Sequence, residues 1–298
     1  MKRHLGYILS MALLLSACGD DEEISPEIPE IPDVPDTGIY LQGNGTGASP
    51  FLVTSLEELV AMRDAVNAPG RCIRPADGGD SVLASKANYL LTADINLASH
   101  YTGGVTGWVP IGYNEADALQ SFSGVFDGGG HVVSHLLISN DADCQGFFGR
   151  VTGGAIVSLN LTDASVKARS GAGIVAGQVE NASIDSCTVE GRVEALADCA
   201  GMIAGRTGAA GKETSIMNCT AQEGSEVLAD GSYVGGIVGL LAPVDAEAVG
   251  RVYNCLNAGK VSGGTYAGGI AGSVGEYASV TNCCNTGDVT AAKTSQAE

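Results

Sequence analysis

The chain has 298 residues, of which 34 are Asp or Glu and 15 are Lys or Arg, so its formal net charge at pH 7 is −19. A chain this acidic is a poor partner for nucleic acid, because phosphate binding needs a basic face. The charge leaves cationic peptides, divalent ions and neutral glycans open as ligand classes.

Residues 1–17 have the features of a secretion signal, with a basic start at Lys2 and Arg3 followed by a short apolar core. The sequence Leu15-Ser-Ala-Cys18 resembles the lipobox of bacterial lipoproteins, in which the cysteine receives a lipid and becomes the new N-terminus. This resemblance predicts lipidation of Cys18, and an ordinary signal peptide is the alternative. No later segment has the roughly 20 apolar residues that a membrane helix needs, so the lipid is the expected contact with the membrane.

Residues 18–37 are predicted to be an acidic, proline-rich tether. The acidic run Asp20–Glu23 resembles the surface-export signal of some Gram-negative lipoproteins, and a solvated spacer is the alternative. Proline recurs at every third position from Pro26 to Pro35, which favours an extended polyproline II spacer. The expected location is therefore the bacterial outer membrane, with the folded part held at the cell surface.

Residues 38–120 are predicted to form an N-terminal cap and the first coils of the fold. Ser55 and Glu58 form a capping box that begins an amphipathic helix running to about Asn67. Such a helix would cover apolar surface and unpaired strand edges at the start of a solenoid. The other predicted elements are a strand at Phe51–Val53, an irregular loop at Cys72–Lys86, strands at Tyr89–Leu91 and Ile95–Leu97, and large apolar faces at Trp108 and Phe122 near the cap–coil junction.

Residues 121–290 contain one pattern in five copies, each with three short phrases that are rich in glycine and β-branched residues. Such phrases predict three strands per copy, and repeats of about 27 to 35 residues indicate a solenoid. One copy buries too little apolar surface to offset the entropy of ordering it, so each strand must pair with its equivalent in the next copy. The prediction is an all-β fold, a parallel β-helix with turns about 4.8 Å apart. The central glycines of the opening phrases are taken as Gly146, Gly173, Gly201, Gly236 and Gly269, and the closing valines as Val166, Val193, Val227, Val261 and Val289.

The second phrase places cysteines at equivalent positions, which predicts an inward-facing column of Leu159, Cys187, Cys219, Cys255 and Cys283. Aligned parallel neighbours point the same way, which is poor geometry for a disulfide, so these cysteines are predicted to be free thiols that pack as small apolar groups. Disulfides, common in exported proteins, are the alternative. By strand alternation, the next column of Ser158, Ser186, Asn218, Asn254 and Asn282 should point the other way, unless the chain bends there; at a corner, Asn can bond its stacked neighbour and tolerate unusual backbone angles.

Two insertions lengthen the third and fourth copies, at Gly208–Thr214 and Pro243–Gly250. Both are rich in Ala, Gly and charge and are predicted to bulge from the stack as loops. The polar tail 291–298 has no apolar face that could cap the last coil, although terminal repeats of solenoids normally need a cap. Association of two molecules end to end, or descent from a longer protein, would account for this.

The phrases Gly235-Gly-Ile-Val-Gly239, Asn254-Cys255 and Asn257-Ala-Gly259 together resemble the repeats of the GLUG-motif proteins. Upstream, Phe122–His131 and Gly107–Gly112 are similar to the segments that precede such repeats. The resemblance covers roughly residues 40–290 and implies a right-handed β-helix in a bacterial cell-surface setting. It implies no activity, because the repeats occur in adhesin-like proteins and beside peptidase domains, and the zinc motif HExxH of those peptidases is absent here.

No catalytic residue, metal site or cofactor is predicted. His131 and His135 lie four residues apart, but a metal would need more ligands than the sequence places there. Carboxylates that could face outward do not recur as a fixed pair, and Arg192 and Lys260 are predicted to lack an acidic partner in register. A solvated acidic surface is the interpretation of this set, which comprises Asp185, Glu190, Glu194, Glu223, Glu226 and Asp288.

These observations predict a surface-anchored lipoprotein whose β-helix serves adhesion or the binding of a glycan or protein. The insertion segments Ala209–Glu213 and Asp245–Val249 are its predicted contacts. The first alternative is a carbohydrate-active β-helix enzyme with a shallow groove. The second is a structural fragment of a longer adhesin.

Overall fold

A computed structural model describes residues 39–113, 120–209, 213–243 and 249–291, all within one compact unit. The predicted signal, the lipidation site Cys18 and the tether lie outside the described residues. Ala291, predicted to begin the tail, instead pairs with Gly263 at the end of the last strand. The rest of the tail lies outside the described residues.

The predicted parallel β-helix is confirmed, and its most continuous element is a sheet of eight parallel strands, called sheet 3 here. It contains the second phrase of every copy, and its inward column of Ile156, Ile184, Ile216 and Val252 is fully buried. Sheet 3 also includes strands of the 38–120 segment, so the cap and the repeats share one stack. Its strands, in stacking order, are Phe51–Val53, Tyr89–Leu91, Val125–Asp127, Ala155–Val157, Ser183–Asp185, Thr214–Met217, Gly250–Tyr253 and Ala278–Thr281.

The opening phrase supplies two strands per coil instead of one, because the chain bends between them. Sheet 1 contains the first of these strands: Asp143–Gln145, Ser170–Ala172, Ala200–Gly201, Val234–Gly235 and Ala267–Gly268. Sheet 2 contains the second: Phe148–Thr152, Ala176–Glu180, Ala204–Ala209, Val238–Pro243 and Ala271–Val274.

Sheet 4 contains the third phrase, and its closing valines are in register from Val166 to Val289. Its longest strand, Asn160–Ala168, bends at Asp163, where φ is 51° and the register shifts. In the later coils this bend divides the phrase into two strands. The strands are Ile95–Asn96, Val132–Ser134, Leu137–Ser139, Asn160–Ala168, Thr188–Ala195, Thr220–Ala221, Glu226–Ala229, Leu256–Asn257, Lys260–Gly263, Cys284–Asn285 and Val289–Ala291.

The repeat glycines need one correction. Gly201 pairs with Gly235, and Gly235 pairs with Gly268, so Gly236 and Gly269 lie one position further along than the sequence comparison placed them. In the second to fifth copies, the opening phrase has six residues and ends in a glycine, and this last glycine fixes the register. Gly236 and Gly269 therefore occupy the column that Ile174 and Met202 fill in the earlier coils.

The helix Leu56–Asn67 leaves the stack between the first two strands of sheet 3. Ser55 caps it by accepting a hydrogen bond from the Glu58 amide, while the Glu58 carboxylate accepts one from Thr54 N, one residue earlier than a standard capping box. Its buried side chains belong to the same core as the coil. Among the described residues, no helix combines the length and apolarity needed to span a membrane.

Three further predictions in this region and in the insertions change. Cys72–Lys86 is ordered as strands Cys72–Pro75 and Val82–Leu83 and a 3-10 turn Ala84–Lys86, because its two strands pair with each other and the first also pairs with Tyr40–Leu41. The strand at Ile95 ends at Asn96, and Leu97–His100 is a 3-10 turn. The insertions begin as paired strand, since Gly208 and Ala209 are in register with Ala242 and Pro243. Residues 210–212 and 244–248, which make up most of the predicted loops and contacts, lie outside the described residues.

Candidate functional site

The cysteine column lies inside the coil. Cys187 and Cys219 are fully buried, as is Leu159 in the same column, and Cys255 is 2% exposed, whereas Cys283 in the last coil is half-buried. The eight cysteines of the described chain are all free thiols. The hydrogen bond with the Cys187 thiol, together with burial, raises the pKa of Cys219 well above its ordinary value. A buried, protonated thiol is a poor nucleophile and a poor metal ligand, so Cys219 packs the interior as a small apolar group.

The neighbouring serine and asparagine column lies at a corner, which is the second of the two arrangements that the sequence left open. Asn218, Asn254 and Asn282 have φ values of 53°, 55° and 52°, in the left-handed region that Asn tolerates. Asn254 Nδ2 donates to Asn218 Oδ1 at 3.3 Å, and Asn218 Nδ2 donates to Asp185 Oδ1 at 2.8 Å. The column is therefore a hydrogen-bonded ladder on the outside of the coil, and it engages one of the candidate carboxylates.

A second asparagine ladder lies inside the coil. Asn257 is fully buried, in the column that holds Leu161, Val189 and Ala221 in the earlier coils. Its amide donates to Gly259 O at 3.0 Å and to Asn285 Oδ1 at 2.8 Å, and its oxygen accepts from Gly259 N at 3.1 Å. A Cβ at Gly236 would overlap the Asn257 side chain, so the second glycine of the Gly-Gly pair leaves the space that this amide occupies.

Charged side chains of sheet 4 pair from one coil to the next. Lys167 Nζ lies 2.7 Å from Glu194 Oε1, and this hydrogen bond lowers the pKa of Glu194. Arg192 is in register with Glu226 and forms an ion pair with it, and Glu226 is in register with Lys260. The prediction that Arg192 and Lys260 lack acidic partners in register is therefore wrong, because Glu226 lies between them.

Three of the candidate carboxylates line one surface groove, called the acidic recess here. The recess has a volume of about 460 Å³ and is bounded by Glu223, Glu226, Asp288 and Lys260, with backbone from the Gly287 corner. Carboxylates beside an ammonium group can bind hydroxyl-rich or cationic ligands, and they can also supply general acid and base groups.

The remaining candidate carboxylates lie elsewhere. Asp185 belongs to the corner ladder and Glu194 to the Lys167 ion pair, while Glu190 is exposed and does not line the recess.

The two histidines that flank the strand Val132–Ser134 do not form a site together. His131 Nδ1 lies 3.1 Å from Asp94 Oδ1, and the same carboxylate accepts from Val132 N, which is the first cause of its lowered pKa. His135 occupies a corner with φ of 63°. Among the described residues, no group of three or more His, Cys, Asp or Glu side chains is placed to hold a metal ion.

Comparison with known proteins finds a related sequence and a related fold. No protein-family model matches the chain. A segment of 163 residues, 53% of this chain, is 34% identical to halomucin from Haloquadratum walsbyi, and the matched part is only 2% of halomucin's length. A crystal structure of a proposed immunoglobulin A1 protease from Bacteroides ovatus has a TM-score of 0.52 and 20% identity, covering 84% of this chain and 79% of that one. At this identity the second similarity concerns the fold alone.

Sequence reasoning missed the acidic recess and the inner ladder for different reasons. The acidic recess is lined by residues of three successive coils, namely Glu223 and Glu226, then Lys260, then Asp288. Their proximity is visible only when the register of the strands is known. The inner ladder did leave a signal, since Gly-Gly occurs in the opening phrase of the same two copies that contain Asn-x-Gly. That coincidence could have indicated a space shared by glycine and asparagine.

Proposed function

We propose that this chain is an extracellular, surface-anchored protein whose β-helix displays binding sites for a glycan or protein ligand. The observation that carries the proposal is the uninterrupted stack of sheet 3, from Phe51–Val53 to Ala278–Thr281. A coil paired throughout its length and filled with apolar side chains is a stiff support. Its outer positions are free to vary without disturbing the interior.

Two similarities support an extracellular setting. The phrases of residues 121–290 resemble GLUG-type repeats, and the chain is similar to a segment of halomucin. We further propose that residues 121–290 are GLUG-type repeats and that the protein is located at the bacterial outer membrane. Anchoring would depend on lipidation of Cys18, and the tether 18–37 would hold the coil away from the membrane.

Anchoring can be tested in a Gram-negative host. Radiolabelled palmitate should enter the wild-type chain and be absent from the variant Cys18→Ser, which should leave the membrane fraction. Protease added to intact cells should degrade the wild-type chain if it is exposed at the surface. Membrane retention of the variant, or complete protection from protease, would contradict this part of the proposal.

Ligand binding can be tested with an array of glycans and extracellular host proteins probed with the purified chain. Saturable binding to at least one class is the expected result. Absence of binding across the array, with the chain shown to be folded by circular dichroism, would contradict the binding function.

A second candidate function is a carbohydrate-active enzyme, favoured by the carboxylates and Lys260 that share the acidic recess. In that case Glu226 and Asp288 would be the groups to test, as acid and base or as nucleophile. Release of reducing sugar from polysaccharides by the wild-type chain, abolished in Asp288→Asn, would favour the enzyme. Unchanged polysaccharide would favour display alone.

We also propose that the last described coil pairs with a second copy of this chain. Val274 and Val289 are 46% and 40% exposed, whereas their register partners Leu241 and Val261 are fully buried by the next coil. The exposed face thus has the chemistry of the internal faces that bind a coil. Sedimentation velocity should show a dimer that Val274→Lys dissociates and that Val105→Lys, at a similarly exposed cap valine, preserves. A wild-type monomer at high concentration would contradict the pairing.

A further inference from the structure

A second cavity, called the junction cleft here, lies where the cap meets the first complete coil. Its volume is about 490 Å³, within the range of small-molecule sites. One wall is the C-terminal turn of the helix, with Asp64 and Asn67. The segment Trp108–Tyr113 forms the second wall, and Asn140 and Gln145 from the first coil form the third.

The walls of the junction cleft are held by hydrogen bonds between these elements. Asn67 Nδ2 donates to Pro110 O at 2.9 Å, and its oxygen accepts from Gly112 N at 2.7 Å and Tyr113 N at 3.2 Å. Trp108 Nε1 donates to Phe147 O at 3.1 Å, and the indole stacks on the Phe147 ring with 5.3 Å between the ring centroids. The cleft is therefore formed before any ligand arrives, which lowers the entropy cost of binding.

The polar groups of the third wall are fixed in the same way. Gln145 is fully buried, and its amide donates to Asp143 O at 2.9 Å while its oxygen accepts from Asn140 Nδ2 at 3.1 Å. The Asn140 side chain is exposed, with one of its two amide hydrogens used in this bond. It can therefore donate to a ligand in the cleft without breaking an existing contact.

The lining chemistry decides which class of ligand fits. The described lining has one carboxylate, Asp64, together with the carboxamides of Asn67, Asn140 and Gln145, and it has no Lys or Arg side chain. An anionic ligand would face this carboxylate, and the neighbouring Arg63 guanidinium is buried and already paired with it. Asp64 Oδ1 is engaged by Arg63, and the carboxylate is 60% exposed, so its other oxygen can accept a hydroxyl hydrogen.

The apolar part of the lining suits a ligand that has both hydroxyl groups and C–H faces. Val109 and Tyr113 are the accessible apolar side chains of the second wall, and they lie on a buried base of Trp108, whose ring is held between Phe147 and Arg63. A sugar ring presents hydroxyls at its edge and C–H groups on its face, and it carries no charge to be desolvated. We propose that the junction cleft binds one neutral sugar residue of a glycan.

This assignment rests on the proposed ligand-binding function and names its ligand class and its site. In the bound state, Asp64 and Asn140 contact hydroxyl groups, and the side chains of Val109 and Tyr113 pack against the ring.

The experiment uses Trp108, the single tryptophan of the chain, as a reporter inside the cleft. The purified full-length chain is titrated with methyl glycosides of neutral hexoses and N-acetylhexosamines, and tryptophan emission is followed together with calorimetry. Sialylated and sulfated sugars, and unrelated peptides, are titrated in parallel. We expect saturable changes in Trp108 emission with at least one neutral glycoside.

Two variants test the site directly, and one serves as a matched control. Asp64→Asn and Asn140→Ala change exposed side chains of the cleft and should each weaken binding about tenfold, because a hydrogen bond to the ligand is lost. Asp163→Asn makes the same chemical change as Asp64→Asn at the exposed bend of sheet 4, outside both the junction cleft and the acidic recess, and should bind like the wild type. Circular dichroism melting curves confirm that all three variants fold.

Each other outcome overturns the inference. Neutral-sugar binding that leaves Trp108 emission unchanged and survives both cleft variants would place the ligand elsewhere while sparing the proposed binding function. Selective binding of anionic sugars or peptides in the cleft would refute the ligand class. If neither these titrations nor the array detects any ligand, the inference and the proposed function both fail.

Discussion

Replacement of Asn257 by alanine should destabilise the C-terminal coils far more than the same change at the equivalent position of the next coil. Asn257 is fully buried and makes three hydrogen bonds, two with Gly259 and one with Asn285. Asn285 occupies the same repeat position but is exposed. The pair thus separates the effect of burial from that of residue type and repeat position.

The expected magnitude follows from the bonds that each change removes. Asn257→Ala removes all three and leaves the polar backbone of Gly259 without these partners, so at about 1 kcal/mol per bond the loss is about 3 kcal/mol. Asn285→Ala removes the bond with Asn257 and an exposed one from Asn285 Nδ2 to Gly287 O at 2.7 Å. Water replaces these at the surface, so the expected loss is about 1 kcal/mol.

Urea unfolding followed by far-UV circular dichroism measures these free energies, and hydrogen exchange localises the effect. The Gly259 amide donates to Asn257 Oδ1, so its exchange should accelerate in Asn257→Ala. Equal losses of stability in the two variants, or unchanged protection of the Gly259 amide, would refute the reasoning that the inner ladder is a structural element.

Two further predictions concern titratable groups. At about pH 8, iodoacetamide should label exposed Cys284 in the folded chain and spare Cys219, whose pKa is raised by its hydrogen bond with Cys187 and by burial; a disulfide at Cys219, found by mass spectrometry without reduction, would contradict this. Burial and the nearby charge of Arg63 lower the pKa of His100, so its contribution to stability should be complete above about pH 6.5 and be lost as the pH falls from there. Urea titrations across this range should show a smaller loss in His100→Gln than in the wild type, and parallel curves would contradict the assignment.

The architecture could be predicted from the sequence because each inward position recurs in every copy. The closing valines illustrate this, since Val166 and Val289 are the first and last members of a column of five valines, one in each of five consecutive coils. The helix could also be predicted from the sequence, because its cap at Ser55 and its end near Asn67 depend on local chemistry. Periodicity and capping are local signals, and they determine which elements form.

The register of the strands was harder to predict from the sequence, because it depends on pairing between residues that are far apart in the chain. Gly235 and Gly236 are adjacent and chemically identical, and only pairing with Gly201 identifies the first as the repeat position. The order in Cys72–Lys86 was missed for a related reason, since its first strand pairs with Tyr40–Leu41, about 30 residues away. Both errors arise where a long-range partner fixes the structure and short-range pattern is ambiguous.

The candidate sites were the least predictable part. The lining of the junction cleft is drawn from three separate segments, near Asp64, near Trp108 and near Asn140. None of these residues forms a motif with another in the sequence. Their proximity follows from how the helix returns to the stack and is visible only in three dimensions.

The two recesses also differ in how many ligands a chain could hold. The acidic recess is built from repeat positions, since Glu226 and Lys260 are register partners and its corner recurs at Gly259 and Gly287. Related recesses could therefore arise at several coils, and a ligand bound there could engage more than one and gain avidity. The junction cleft uses the helix and the Trp108 segment, which belong to the cap and lie outside the five repeat copies, so it occurs once. A stoichiometry of one neutral sugar per chain that is weakened by Asp64→Asn would therefore assign binding to the cleft, and a higher stoichiometry that this variant leaves unchanged would assign it to the repeats.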